Sequence, residues 1–238
     1  MELPKGTSIM AKRLYKKEIY KTKEEWLKNR GFGGSSASAI LGVNPWMTIL
    51  DLYKSIVHKK EDKHIDQSNE AMQYGTRCEP LMRQLYVLDY ESIYKVHKPY
   101  QYEMYRRIDK PYLTATPDGI LTTIADGKKG IWECKTHDIK NRADDEAWAN
   151  SIPQNYFIQC LHYLVVMKDC DFVVLNAKLR YFDYYNSDGK KLLYQKIIYH
   201  VIWRSEVLDQ IEYLEKMETK FWEHNIQKKI MPSFSVKF

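Results

Sequence analysis

Two periods of apolar residues run along this chain, and together they divide it into elements. Residues 23–30 read as a short helix with Thr22 as its N-cap. Gly31-Phe32-Gly33-Gly34 breaks it. Ser35 or Ser36 then stands where a second short helix would be capped, running through Ile40 and Leu41 and closed by Gly42. Asn44-Pro45 is a turn, residues 48–57 look helical, and the polar run 58–69 reads as a loop. From 70 to 90, Met72, Gly75, Glu79, Met82 and Tyr86 recur at helical spacing and define one face. That face sets Glu79 on a buried seam between two methionines. Pro80, directly after it, is expected to kink the helix or start a new turn.

The period then shortens. A β-rich block covers about 93–136, with candidate strands at 112–116, 119–124 and 130–136. Asp126-Gly127 between the last two is a hairpin signal. Residues 144–151 read as helical, and Pro153 suits the first turn of a helix to about Met167. In that helix Phe157, Leu161, Leu164 and Met167 make an apolar face, while Tyr156, Gln159 and Tyr163 make another. A strand over 172–179, a turn at Asn186-Ser187-Asp188-Gly189 and a returning strand over 192–203 follow. Ser205 is placed to cap a last helix with Val207, Ile211, Leu214, Met217 and Phe221 on its apolar face. Strands and helices in this order imply an α/β domain with a central mixed β-sheet flanked by helices.

The chemistry concentrates in two short stretches. Thr116-Pro117-Asp118-Gly119 leads into one strand, and Glu133-Cys134-Lys135 lies in the next. Alternation puts Ile131, Glu133 and Lys135 on one face and Trp132 and Cys134 on the other. Charges on the inward face of a sheet are costly unless paired or bound to metal. Hairpin pairing of the two strands brings Asp118 near Glu133. Two carboxylates, with the backbone carbonyl of Cys134 between Glu133 and Lys135, make a hard-oxygen set suited to Mg²⁺, with Mn²⁺ as a substitute. Such an ion polarises a phosphodiester and acidifies water. Lys135 would hold or help deprotonate the water and neutralise charge on the phosphate. Glu79 is a third carboxylate in need of a partner, and Gln159, flanked by tyrosines, is suited to orienting substrate or water. The turn Arg30-Gly31-Phe32-Gly33-Gly34-Ser35-Ser36, entering a helix, is a candidate anion site, with Arg30 adding a guanidinium fork. It is no Walker A loop, since no Gly-Lys-Ser/Thr follows. A surface salt bridge, a helix kink and a plain connecting turn are the bland alternatives for these features taken singly.

Charge supports a polyanionic partner. Residues 1–30 hold nine Lys/Arg against four acids, leaving +5 of the chain's net +6. The competing reading is a solvated N-terminal helix face. Four cysteines at 78, 134, 160 and 170 form no CxxC pair, which argues against zinc fingers and disulfide frameworks and for reduced thiols. No apolar run approaches the roughly 20 residues of a membrane span. The N-terminus has no apolar signal core, so export is not expected.

Taken in chain order, Arg30 with Gly33-Gly34-Ser35, Gly75-x-x-x-Glu79-Pro80, Thr116-Pro117-Asp118-Gly119, Glu133-x-Lys135 and Gln159 resemble the YqaJ-type viral recombinase family, which includes lambda exonuclease, within the PD-(D/E)xK nuclease superfamily. The resemblance covers about residues 26–203. It implies a restriction-endonuclease-like core in a single nuclease domain over 1–238, with a basic N-terminal segment 1–25, the core 26–203 and a C-terminal helix and tail 204–238. It implies that Asp118, Glu133 and the Cys134 carbonyl bind Mg²⁺, with Glu79 contributing, that Lys135 is the catalytic lysine, and that Gln159 belongs to the active site. Arg30 and Ser35 match positions that receive the 5′-phosphate of a DNA end. The implied reaction is 5′→3′ digestion of one strand of linear duplex DNA, leaving a 3′ overhang for single-strand-annealing recombination. The implied partners are double-stranded DNA ends, a single-strand annealing protein and two further copies in a homotrimer. There is no membrane, and the implied place is the cytoplasm of a bacterial host cell infected by a bacteriophage.

The alternative on the same core is a restriction-like or repair endonuclease. An iron–sulfur relative would need clustered cysteines near the C-terminus, and none follows Cys170. A non-catalytic DNA-binding module has no need of Asp118, Glu133 and Lys135, and a β-rich centre argues against a helix-turn-helix regulator.

Overall fold

In the computed structural model, which describes residues 14–58, 70–185 and 191–233, the chain opens with β1 (Tyr15–Ile19), α1 (Lys23–Asn29), α2 (Gly34–Ile40), α3 (Ile49–Val57) and α4 (Glu70–Tyr90). β2 (Tyr94–His97), β3 (Glu103–Arg107), β4 (Thr114–Ala115), β5 (Gly119–Thr123) and β6 (Lys129–Ile139) follow. The remainder is α5 (Arg142–Asn150), α6 (Gln154–Val166), β7 (Phe172–Tyr185), β8 (Lys191–Trp203) and α7 (Leu208–Lys220). The main sheet has the order β2-β5-β6-β7-β8, with β6 and β7 parallel and the other neighbours antiparallel. A smaller sheet, β1-β3-β4, stands apart from it. The expected mixed central sheet flanked by helices is therefore what the chain forms.

Alternation along β6 sorts its side chains as the sequence indicates. Ile131 joins the core under α2, α3, α6 and α7, while Trp132 and Cys134 join a second cluster under α4 with Cys78, Met82, Tyr86, Phe172 and Val174. Burying a large apolar side chain of this kind stabilises by roughly 1.5–3 kcal/mol. Gly42 and Gly127 sit at φ +72° and +70°, in the turns after α2 and between β5 and β6, where only glycine enters without strain.

Several expectations need correction. Neither Ser35 nor Ser36 caps α2. Gly33 is its N-cap, and Ser36 lies inside the first turn, its Oγ accepting the Gly33 N–H at 3.3 Å. Helix α4 runs unbroken through Pro80, which costs one main-chain hydrogen bond but not the helix. Its buried face is Cys78, Met82, Arg83 and Tyr86. Met72 is exposed and Glu79 only half-buried, because an arginine takes the seam. The strand expected over 112–116 shrinks to β4, which pairs with β3 in the small sheet. Helix α6 has no open polar face: Ile158 and every residue from Cys160 to Val166 are buried, since α2, α7 and the sheet all pack on it. Ser205 lies in a 3-10 turn over Arg204–Glu206, and α7 begins after Val207 without a side-chain cap. Lysine-rich Tyr15–Ile19, in the basic segment, is an edge strand rather than a helix face, the setting in which lysines keep a free edge from pairing further. The turn at 186–189 and the loop from 59 on lie outside the described residues.

Candidate active site

β5 begins at Gly119, one residue after Asp118, so beyond Trp132, which lies opposite Gly119, β6 has no partner on that edge and pairs only with β7. The Asp118 carboxylate takes over there. Its Oδ2 accepts the main-chain N–H of Cys134 at 2.8 Å, as a strand carbonyl otherwise would. Glu133, 1% exposed, points to the α6 side. Its Oε1 accepts from Lys135 Nζ at 2.5 Å and from Gln159 Nε2 at 2.6 Å. Gln159 Nε2 also donates to the Tyr163 hydroxyl at 2.7 Å. Glu133 Oε2 is buried with no hydrogen-bond partner.

Helix α4 closes the opposite wall. Arg83 Nε donates to the Asp118 carbonyl at 3.1 Å, its Nη2 is paired with Glu79 Oε1, and the guanidinium lies 5.6 Å from the Trp132 ring centroid. Lys135 keeps 21% of its side chain exposed and sits 5.7 Å from the centroid of Tyr156. Asp118, Glu133, Cys134, Lys135, Gln159 and Glu79 thus fall into one cluster.

The electrostatics follow from crowding. Burial, and then the negative charge of Asp118, push the Glu133 carboxyl up to about 8, against the pull of Lys135. Burial likewise raises Asp118, with Lys135, the Cys134 N–H and Arg83 pulling it back. Glu79 is raised by burial and by Asp118. Burial works against the Lys135 charge, but Glu133 and Asp118 outweigh it and hold the amine well above the usual lysine range. A lysine so held is a cation and a donor.

The donor set fits a hard divalent cation. Two carboxylates and a main-chain carbonyl are all oxygen, and Glu133 Oε2 is a buried acceptor without a donor, a costly state for such an atom. Among the described residues no three His, Cys, Asp or Glu side chains come together as a metal-holding group, so Glu79 does not join Asp118 and Glu133 as a third side-chain ligand in this arrangement.

The Arg30–Ser35 turn abuts this cluster. A Cβ on Gly34 would come within 2.3 Å of Gln159 Cγ, so only glycine lets α2 lie this close to the residue that donates to Glu133. Arg30 packs over Trp26, 4.9 Å from its centroid, and beside Gly33. Ser35 is exposed at the first turn of α2. Among residues not singled out from sequence, Arg83 is the most consequential. Its signal was the Glu79-x-x-x-Arg83 spacing, which places the pair on one helix face.

A mixed sheet in which an aspartate precedes one strand, a Glu-x-Lys occupies the next and a helix glutamine meets the glutamate defines the restriction-endonuclease-like class. Residues 25–169 match the model of the YqaJ-like viral recombinase domain, more than half of the chain, and the protein belongs to that family. It is 30% identical over 152 residues to the uncharacterized protein YqaJ of Bacillus subtilis strain 168. The match takes in 61% of this chain but only 43% of that relative, so the chain spans less than half the length of the curated relative it matches. Among solved structures it resembles an alkaline exonuclease (LHK-Exo) from Laribacter hongkongensis, with TM-score 0.52 and 17% identity over 87% of this chain and 96% of that one. It also resembles a phage-related exonuclease from Haemophilus somnus 129PT, with TM-score 0.52 and 19% identity over 86% and 98%. At these identities the likeness establishes the fold. Among the described residues no helix is long and apolar enough to cross a membrane.

Proposed function

We propose that this protein is a Mg²⁺-dependent deoxyribonuclease of the phage recombination type, digesting one strand of linear duplex DNA 5′→3′ to leave 3′ overhangs. The observation that carries the proposal is the buried Glu133 carboxylate, its Oε1 held by Lys135 and Gln159 and its Oε2 without a hydrogen-bond partner, close enough to Asp118 to feel its charge. Asp118, Glu133 and the Cys134 carbonyl would hold the ion, with Glu79 contributing from α4, and Mn²⁺ would substitute. When bound, the ion supplies Lewis acidity toward the phosphodiester and lowers the pKa of water. Lys135, kept cationic, neutralises charge that develops on the phosphate and orients the attacking water. Gln159 fixes the Glu133 carboxylate through Oε1, and Tyr163 fixes Gln159. Arg83 holds the Asp118 main chain and the Glu79 side chain together.

Arg30 and Ser35 are the candidate grip on the terminal 5′-phosphate, since their turn leans on Gln159. A homotrimer around DNA, a single-strand annealing partner and work in the bacterial cytoplasm complete the proposal. These, and the domain limits 1–25, 26–203 and 204–238, rest on the family.

The test is digestion of linear duplex labelled at either 5′ or 3′ ends, beside a covalently closed circle of the same sequence. Early release of the 5′ label with an intact circle is expected. A nicked or cut circle would replace the exonuclease with an endonuclease on the same site.

A further inference from the structure

Trp46 is 70% exposed, more than any other large apolar side chain among the described residues. The other five tryptophans are buried or half-buried. Single exposed apolar residues are ordinary, but this one is presented from a fixed loop. Asn44 Oδ1 accepts the main-chain N–H groups of Trp46 and Met47 at 2.8 and 2.9 Å. Asn44 Nδ2 donates to the Ser35 carbonyl and the Ser38 hydroxyl, both at 3.0 Å. On the far side Thr48 and Asp51 cap α3 reciprocally. The ring is thus held out to solvent by a loop tied to α2 and α3, with little loop entropy left to lose on contact.

Its position ties it to the reaction centre. The Trp46 ring centroid lies 6.4 Å from that of Tyr156, tilted by 46°. Tyr156 is the ring beside Lys135 Nζ, at 5.7 Å, and is backed by buried Trp148 at 5.4 Å. A row of groups therefore runs from the site's cation through one supported ring to one open ring. A nucleotide has the same order of parts, an anionic phosphate followed by a flat apolar base.

We propose that Trp46 is a stacking platform for one nucleobase of the DNA strand whose phosphate lies at Lys135. The inference rests on reading the cleft as a nuclease centre and adds to it a base-binding position. Stacking accepts any base, because each presents a π face. Trp46 therefore contributes affinity and strand placement without sequence preference.

The experiment is binding in EDTA, followed by fluorescence anisotropy, of a labelled duplex with a short unpaired end. Intact DNA is compared with a series carrying one abasic site walked along the end. Wild type, W46A and W46F are compared. W46A is expected to bind the intact duplex about tenfold more weakly, with an unchanged thermal midpoint, and W46F to keep most of the affinity. At one abasic position wild type should lose affinity to the same extent, and W46A should lose nothing further. Equal binding by W46A and wild type would overturn the platform. So would abasic losses that persist undiminished in W46A at every position, the result expected if Trp46 instead meets a protein partner. Wild-type cleavage of the same duplex in Mg²⁺ is read in parallel. Cleavage intact with Trp46 inert sinks the platform alone, whereas no binding and no cleavage sinks the nuclease reading with it.

Discussion

Glu133 carries opposing demands. It is buried, beside a second carboxylate, and only one of its oxygens is satisfied. With its carboxyl raised to about 8, Glu133 competes for a proton near neutral pH in the metal-free chain. A cation entering the site must displace that proton. Calorimetry in buffers of different ionisation enthalpy should therefore show proton release on Mg²⁺ addition at pH 7, fading as the pH rises past about 8. Its absence in wild type would mean that Glu133 is no ligand. Replacing Lys135 by Ala should lower kcat by on the order of 10²–10³, the usual loss for one preorganised donor, with the fold intact by circular dichroism. Arg83 acts at one remove. R83A frees the Asp118 main chain and leaves Glu79 without its partner, so the apparent Mg²⁺ affinity should fall and excess Mg²⁺ should recover much of the rate. R83K, which cannot supply the same planar fork, should rescue only partly.

Between elements, α6 is the keystone, and it is where sequence reading was weakest. The hairpin geometry of β5 and β6 was legible because period-2 alternation and Asp126-Gly127 fix faces and register locally. The burial of α6 was not, because helical period says nothing of how many neighbours will pack on a helix. His162 shows the consequence. It is fully buried, its Nδ1 2.6 Å from Glu218 Oε1 on α7 and its Nε2 2.9 Å from the Thr114 carbonyl on β4. Burial works to neutralise it, but Glu218 and the Thr114 carbonyl together raise its pKa above the ordinary value. A raised folded-state pKa means this pair stabilises fully below about 6.5, the unfolded value, and that the contribution is lost as pH rises through the folded value. Urea unfolding across pH should show that loss in wild type. H162L leaves Glu218 buried alone and should cost roughly 3–5 kcal/mol. At the neighbouring contact, G34A drives a methyl into Gln159. Activity should fall further than stability does, which kcat set against the thermal midpoint would show.

The whole molecule adds a charge distribution and a family. The net +6 is concentrated toward the N-terminus, and the first described part of that region, β1, is folded into the small sheet through β3. The competing reading of a solvated helix face holds for α1 and not for β1, because lysine-rich edge strands and solvated helices share a composition and differ only in long-range pairing. If the basic surface meets DNA, log affinity should fall linearly with log salt as counterions are released. A binding isotherm insensitive to salt would exclude that surface from the contact. The fold and the central cluster were legible because the motifs lie on adjacent strands. Arg83 was missed because helical spacing puts Met82 and Tyr86 on the buried side of α4 without showing that an arginine shares it.

The most direct test of the central claim is cleavage of a linear duplex by the whole chain in Mg²⁺, with EDTA and with E133Q as the two controls, each protein verified as folded. Digestion by wild type in Mg²⁺, abolished by EDTA and by E133Q, is the result expected of a two-carboxylate metal centre. Digestion that persists in EDTA, or that survives E133Q at the wild-type rate, would contradict it.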